Sequence, residues 1–351
     1  MAMLFCLFTG FVLGMIVIHV VDENNTRPKI ESLKKELEEA KIEQEKPINV
    51  YIPARKIKAG QIFKNSYNPD NFVIEDGFMA YYNEDGDKLS HVGVDLSYHN
   101  DKVDFEALAK SPVEFVMLRV GYRGYTEGGL VTDERFKEYA KAANENNLKL
   151  GVYFFTQAIN EEEAISEAEY VIKLIRDYDI TYPVAFDTEL VDDDEARTNK
   201  AELSQEELSN ICIAFCERIR EAGYYPMIYA SENWIRRKLD PTMLSDYDFW
   251  APQYLEKNDF LYDFTMWQYT ESGDAPGVEG PCDLNISLVD YAEIIAKMRE
   301  SMATSGEIGT YDADNIIEDE GNNYVEFGIT NSSEESSEGA GTSNVPSIMI
   351  Q

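Results

Sequence analysis

Between His91 and Ala230, short apolar runs alternate with longer helical segments, and no other feature constrains the fold as much. The runs are HVGVDLS, EFVMLRVGY, KLGVYFF, YPVAFDTE and YYPMIYA. Between them lie DFEALAKS, DERFKEYAKAANENN, EEEAISEAEYVIKLIRDY and SQEELSNICIAFCERIREAG. This second group carries apolar residues at helical spacing; Phe136, Tyr139, Ala140 and Ala143 make one stripe. Gly223 stands where a helix should end. Alternation of this kind predicts βα units around a parallel sheet. After Ala230 the runs DFWAPQY, FTMWQY and CDLN crowd together, and the helices between them shrink or vanish. Eight candidate strands predict an α/β fold: a TIM-type barrel with degenerate last units, (β/α)5(β)3-like, over residues 91–301.

Such barrels place their chemistry at the C-terminal ends of the strands. The first strand ends in Asp95, the second in Arg119 and Tyr122, the third in Tyr153. Asp187 and Glu189 end the fourth and Tyr229 the fifth. Trp250 and Gln253 end the sixth, Trp267 and Gln268 the seventh, and Asp283 the eighth. Residues two apart on a strand share a face, so Asp187 and Glu189 both turn toward the mouth.

Carboxyl pairs flanked by aromatic rings suit glycoside hydrolysis. One acid must protonate the leaving oxygen, and another must handle positive charge at the anomeric carbon. Crowding raises the pKa of at least one of them, which supplies a general acid near neutrality. Tyr229 and Trp267 read equally as sugar platforms or as barrel packing. Arg119 reads as a partner of rim carboxylates ahead of a substrate contact, because a buried charge needs a counter-charge. His99 reads as a substrate contact or as a satisfied polar residue at the barrel end. Asp192 to Glu195 read as a solvated loop, without the spacing of a calcium-binding loop.

The blocks HVGVDLSYHN with VDF, FVMLRVGY, LGVYFF, PVAFDTE, GYYPMIYASENW, FWAPQY, MWQYTESG and CDLN follow one another in order. Together they resemble glycoside hydrolase family 25, the lysozyme-like muramidases, over about residues 91–296. The resemblance implies that Glu189 is the catalytic acid/base and Asp187 its partner, a nucleophile or an orienter of the substrate's 2-acetamido group. It implies that Asp95 and Asp283 are further acids of the rim. It implies a peptidoglycan substrate, cut at the β-1,4 bond between N-acetylmuramic acid and N-acetylglucosamine, and no metal or organic cofactor. Tyr153, Tyr229, Trp267, Gln268, Arg119 and Tyr122 are the expected substrate contacts. Two departures stand out: Pro252 replaces a more usual Ala or Val, and Tyr98-His99-Asn100 replaces an H-Q-G type ending. The rival reading is a non-catalytic, membrane-tethered module that binds cell wall.

The rest of the chain frames the barrel. A net charge of −35 repels polyanions and excludes nucleic acid as a natural partner. Residues 3–21 are almost wholly apolar, without Lys, Arg, Asp or Glu, and are long enough for a bilayer. Residues 1–22 are therefore expected to form an uncleaved transmembrane signal anchor, with the barrel on the extracytoplasmic side of the cell membrane. The basic residues Arg27, Lys29, Lys34 and Lys35 taken alone would put that flank in the cytoplasm, but interleaved acids and the large domain that follows weaken that rule. Residues 23–48 predict a charged helical stalk whose Ile30, Leu33, Leu37 and Ala40 give an option of weak self-association. Residues 49–90 predict a small β-rich lead-in. Residues 302–351 predict a disordered acidic tail, since the stretch from residue 303 has ten acids and no Lys or Arg. Cys6, Cys212, Cys216 and Cys282 match neither a disulfide framework nor a zinc site, and read as small buried side chains.

Overall fold

A computed structural model describes residues 64–304 and two short strands further on, β12 (Ile316–Glu318) and β13 (Val325–Phe327), which pair antiparallel. The expected anchor, the stalk, the first part of the lead-in and most of the acidic tail lie outside the described residues. Among the described residues, no helix is long and apolar enough to cross a membrane.

The fold is α/β, built on a closed eight-stranded barrel. Its strands are β3 (His91–Leu96), β4 (Phe115–Arg123), β6 (Lys149–Phe155), β7 (Val184–Asp187), β8 (Pro226–Tyr229), β9 (Asp248–Pro252), β10 (Met266–Gly273) and β11 (Cys282–Ser287). Seven run parallel, and β11 runs antiparallel to both neighbours, β10 and β3. The short strand β5 (Leu130–Thr132) pairs with β4 outside the closed ring.

Helices follow the first five barrel strands: α1 (Phe105–Ala109), α2 (Phe136–Glu145), α3 (Glu161–Ile175), α4 (Arg197–Lys200) with α5 (Gln205–Glu221), and α6 (Glu232–Lys238). None separates the last three strands, and α7 (Tyr291–Thr304) comes after them. The helix ends follow local chemistry. Ser204 and Glu207 close a reciprocal capping box at the start of α5. Past its end, Gly223 takes φ +82°, a conformation that only glycine adopts without strain.

Strand alternation sorts the apolar side chains into two cores. Val92, Val94, Val116, Leu118 and Val152 face outward and pack with the helices, including Phe136, Ala168 and Phe215. Phe115, Met117, Ala185, Met227 and Met266 face inward and fill the barrel together with Tyr291 of α7. Gly93 is required by this filling: a Cβ there would lie 2.2 Å from the Phe115 ring. The lower end is closed by Tyr225 and Tyr291, whose hydroxyls both donate to Asp248 Oδ2, at 2.8 and 2.7 Å. Side chains plug the barrel below, so a cavity can open only above.

From the lead-in, β1 (Phe72–Glu75) and β2 (Phe78–Tyr81) form a hairpin across Asp76-Gly77. Its Phe72 ring meets Trp267 edge-on at 5.1 Å, and the Met79 N–H donates to the Tyr269 hydroxyl. The hairpin is thus packed on the barrel wall at β10.

Candidate active site

The upper end of the barrel holds a cavity of about 490 Å³. Asp95 of β3, Asp187 and Glu189 at the end of β7, and Asp283 of β11, from three separate strands, all line it. β7 shows how alternation aims them. Phe186 points out to Phe215 of α5, at 4.9 Å between ring centroids, and Asp187 points in. Thr188 points out again, where its Oγ1 accepts from the Trp234 indole at 3.0 Å, and Glu189 points in. Backbone bonds from Thr156 N to Asp187 O and from Thr188 N to Tyr229 O hold this turn between β6 and β8.

Asp283 reaches the rim by a route the strand pattern hides. It was expected at the C-terminal end of an eighth parallel strand. It lies near the start of β11, and the antiparallel course of β11 brings that start to the same rim. There it sits directly opposite Asp95 in the β3–β11 register. Side chains so paired touch across the ladder, and these two carboxyls share a hydrogen bond.

Every one of the four carboxyls is pushed upward. Burial raises Asp187 well above the ordinary carboxylate range, with the charges of Glu189 and Asp95 adding to it. Burial and the charge of Asp95 push Glu189 up to about 7. Burial, the charge of Asp95 and the bond to it push Asp283 up to about 8. Burial raises Asp95 too, but amide hydrogen bonds from Asn285 and Gln268 pull it back. One buried oxygen, Asp187 Oδ1, has no hydrogen-bond partner, and no described residue bonds to Glu189.

The aromatic wall is richer than the strand ends suggested. Tyr122, Tyr153 and Tyr229 line the cavity as expected, and Tyr98, Tyr125, Phe155 and Tyr254 join them from loops and strand ends. Tyr98, Phe155 and Tyr254 stand inside motif blocks legible in the sequence, whereas Tyr125 enters from a loop without periodicity, so no sequence signal marked it. Tyr98 and His99 stand in the departing Tyr98-His99-Asn100 segment and both face the cavity. Glu271 adds a fifth acid to the lining.

Arg119 and Tyr122 are three apart, yet both face inward, because a register shift in β4 between Arg119 and Gly121 interrupts the alternation. The partner of Arg119 is no rim acid. It is Asp133, which follows β5 and accepts from Arg119 Nε at 2.8 Å. Asp133 also accepts from the Tyr98 N–H and so ties the loop after β3 to β4.

Two expected residues are placed elsewhere. Trp267 does not line the cavity; it is fully buried against Phe72, and its indole donates to Gln253 O at 2.7 Å. Adjacent strand residues face opposite ways, so Trp267 and Gln268 could not both point inward, and Gln268 does. Gln253 lies past the end of β9 and bonds to Asp259 instead. Asp192 to Glu195 are exposed loop. Cys212, Cys216 and Cys282 are free thiols and buried. Among the described residues, no group of His, Cys, Asp and Glu is arranged to hold a metal ion.

A closed barrel with acids and aromatic rings gathered at one mouth defines a class of carboxylate-site α/β barrels. The chain belongs to glycosyl hydrolases family 25, which its residues 94–278 match. It is similar to the autolytic lysozyme of Clostridium acetobutylicum, with 26% identity over 194 residues, covering 55% of this chain and 54% of that protein. It is also similar to the uncharacterized protein YegX of Escherichia coli K12, with 23% identity, covering 55% of this chain and 68% of that one. The chain thus spans about half the length of the lysozyme relative. Among solved structures, the modular autolysin LytC from Streptococcus pneumoniae in complex with a synthetic peptidoglycan ligand aligns with a TM-score of 0.50 and 24% identity. That alignment covers 62% of this chain and 52% of LytC, and it concerns the fold alone.

Proposed function

We propose that the protein is a peptidoglycan hydrolase of the muramidase type, cutting the β-1,4 bond between N-acetylmuramic acid and N-acetylglucosamine. The observation that carries this reading is the cluster of four carboxyls, Asp95 and Asp187 buried and Glu189 and Asp283 half-buried, in one sugar-sized, aromatic-walled cavity. A pKa of about 7 leaves Glu189 a substantial protonated fraction at neutral pH, which a general acid requires.

In this reading Glu189 protonates the glycosidic oxygen as the bond from that oxygen to the anomeric carbon breaks. Asp187 orients the 2-acetamido group, whose carbonyl oxygen attacks the anomeric carbon. Water then adds there, giving its proton to the Glu189 carboxylate and restoring the acetamide. The unpartnered Asp187 Oδ1 favours orientation over direct attack. A buried acceptor without a donor suits an acetamide N–H.

Digestion of purified peptidoglycan tests both levels. The expected products carry muramic acid at the reducing end. Wall binding without such products would instead support the non-catalytic module. A covalent sugar adduct on Asp187, seen by mass spectrometry, would move the mechanism to direct attack. We also propose that residues 1–22 anchor the protein in the cell membrane, with the barrel on the extracytoplasmic side facing the glycan strands, and that the stalk supports weak self-association. Fractionation that recovers a shortened, released protein would refute the anchor. Sedimentation at rising concentration tests the self-association.

A further inference from the structure

Asp95 and Asp283 sit face to face and share a hydrogen bond, so one of them carries a proton. The surrounding amides decide which. Tyr229 and Tyr254 both direct their hydroxyls at Gln268 Oε1, at 2.9 and 2.7 Å. With that oxygen accepting twice, the amide nitrogen of Gln268 faces the other way and donates to Asp95 Oδ2 at 2.8 Å. Asn285 is oriented just as firmly. The Trp250 indole N–H can only donate, and it donates to Asn285 Oδ1 at 2.8 Å. The Asn285 nitrogen therefore also donates to Asp95 Oδ2, at 2.8 Å. Among the described residues, no amide N–H reaches Asp283. Hydrogen bonds from N–H groups stabilise a carboxylate over its acid.

We propose that Gln268 and Asn285 are positioning residues that hold the negative charge of the pair on Asp95 and leave its proton on Asp283. The orientation of both amides is set in turn by Tyr229, Tyr254 and Trp250. The consequence is one fixed anion beside Glu189. That charge holds the Glu189 proton in place before bond cleavage and opposes the positive charge that grows at the anomeric carbon during it. This catalytic role rests on the muramidase reading; the charge distribution itself does not. Gln268, expected from sequence as a substrate contact, acts here through Asp95.

Other groups also face Asp95 and Glu189. Acids come from β7 (Asp187) and β10 (Glu271), and tyrosines from β6 (Tyr153), β8 (Tyr229) and the segment after β9 (Tyr254). Tyr122 and Arg119 come from β4, the latter paired with Asp133, and Tyr98, His99 and Tyr125 come from the loops, Tyr125 within the field of Glu189 and Asp187. None of them donates to Asp95 as the two amides do, so losing an amide donor changes the charge on Asp95 first.

The test follows Glu189 directly, by 13C NMR titration of the full-length protein labelled at glutamate side-chain carboxyls, with Glu189 assigned by its absence in Glu189→Gln. The variants are Gln268→Met, which removes the donor, and the double variant Tyr229→Phe, Tyr254→Phe, which keeps Gln268 but frees its orientation. In each, Asp95 should take up a proton and the Glu189 midpoint should fall by about one pH unit. Glu167, which burial also raises to about 7, is the internal control and should not move. An unmoved Glu189, or a shift of Glu167 with it, overturns the proposal. Should Gln268→Met not fold, the double variant decides alone. If wild type shows the expected titrations but releases no muramic reducing ends, the muramidase reading fails and the charge assignment stands.

Discussion

Glu189 and Glu167 are both glutamates that burial pushes to about 7, and they belong to different kinds of place. Glu167 lies on α3, fully sealed. One of its oxygens accepts from Arg123 Nε at 2.6 Å and the other from Thr156 Oγ1 at 2.7 Å. Arg123 in turn reaches Gly128 O, Glu163 O and Ser166 Oγ. Glu189 lines the cavity, with acids for neighbours and no bond from any described residue. A raised pKa therefore reports burial in both places. What separates a working acid from a structural one is access to a ligand and the absence of a protein partner.

The largest expected effect sharpens that contrast. Glu189→Gln should lower turnover of purified peptidoglycan by roughly 10²–10⁴-fold, as the loss of a general acid does, while circular dichroism shows the fold retained. Glu167→Leu should do the reverse, costing about 3–5 kcal/mol of stability in denaturant unfolding because Arg123 is left buried without its counter-charge. Its activity per folded molecule should stay near wild type. If Glu167→Leu also abolishes turnover of the folded protein, the division between the two glutamates is wrong.

Asp187→Asn should come next, with kcat reduced on the order of 10²-fold. The amide retains an acceptor oxygen, so KM should move less than kcat.

The pH dependence of kcat/KM should show an alkaline limb near 7, where Glu189 loses its proton. Stability should carry the same signature with a definite sign. An acid whose folded pKa is raised holds its proton in the folded state after the unfolded chain has released it. Stability is then greatest below the unfolded value, and it falls as pH rises from about 4.5 toward 7. Glu189→Gln removes that loss and should be more stable than wild type at pH 8 by roughly 1–3 kcal/mol, with little difference at pH 4. Equal stabilities at pH 8 would contradict the raised value. The smallest effect belongs to the wall behind the cavity. Trp267→Phe keeps the ring against Phe72 but loses the bond to Gln253 O, and should cost about 1 kcal/mol with KM unchanged.

Much of this was legible before any coordinates. Binary patterning exposed the strands and helices because a barrel strand buries both faces and a covering helix buries one stripe. The pair Asp187 and Glu189 was legible because it ends such a strand at a two-residue interval. Tyr125 and Asp133 were not, because they enter from loops whose spacing follows no period. Trp267 was misplaced for a related reason: a strand pattern names neighbours but leaves open which of the two alternating faces is the inside.

The sequence by itself thus determined the α/β barrel pattern, the carboxyls at strand ends and the family to which the chain belongs, since these rest on local periodicity and ordered motifs. Only the tertiary structure decided that β11 runs backward, that Asp283 thereby meets Asp95, and that two oriented amides single out one of those two oxygens' owners as the anion. Those outcomes depend on hydrogen bonds between residues up to 190 positions apart, and such directional contacts exist only once the barrel has closed.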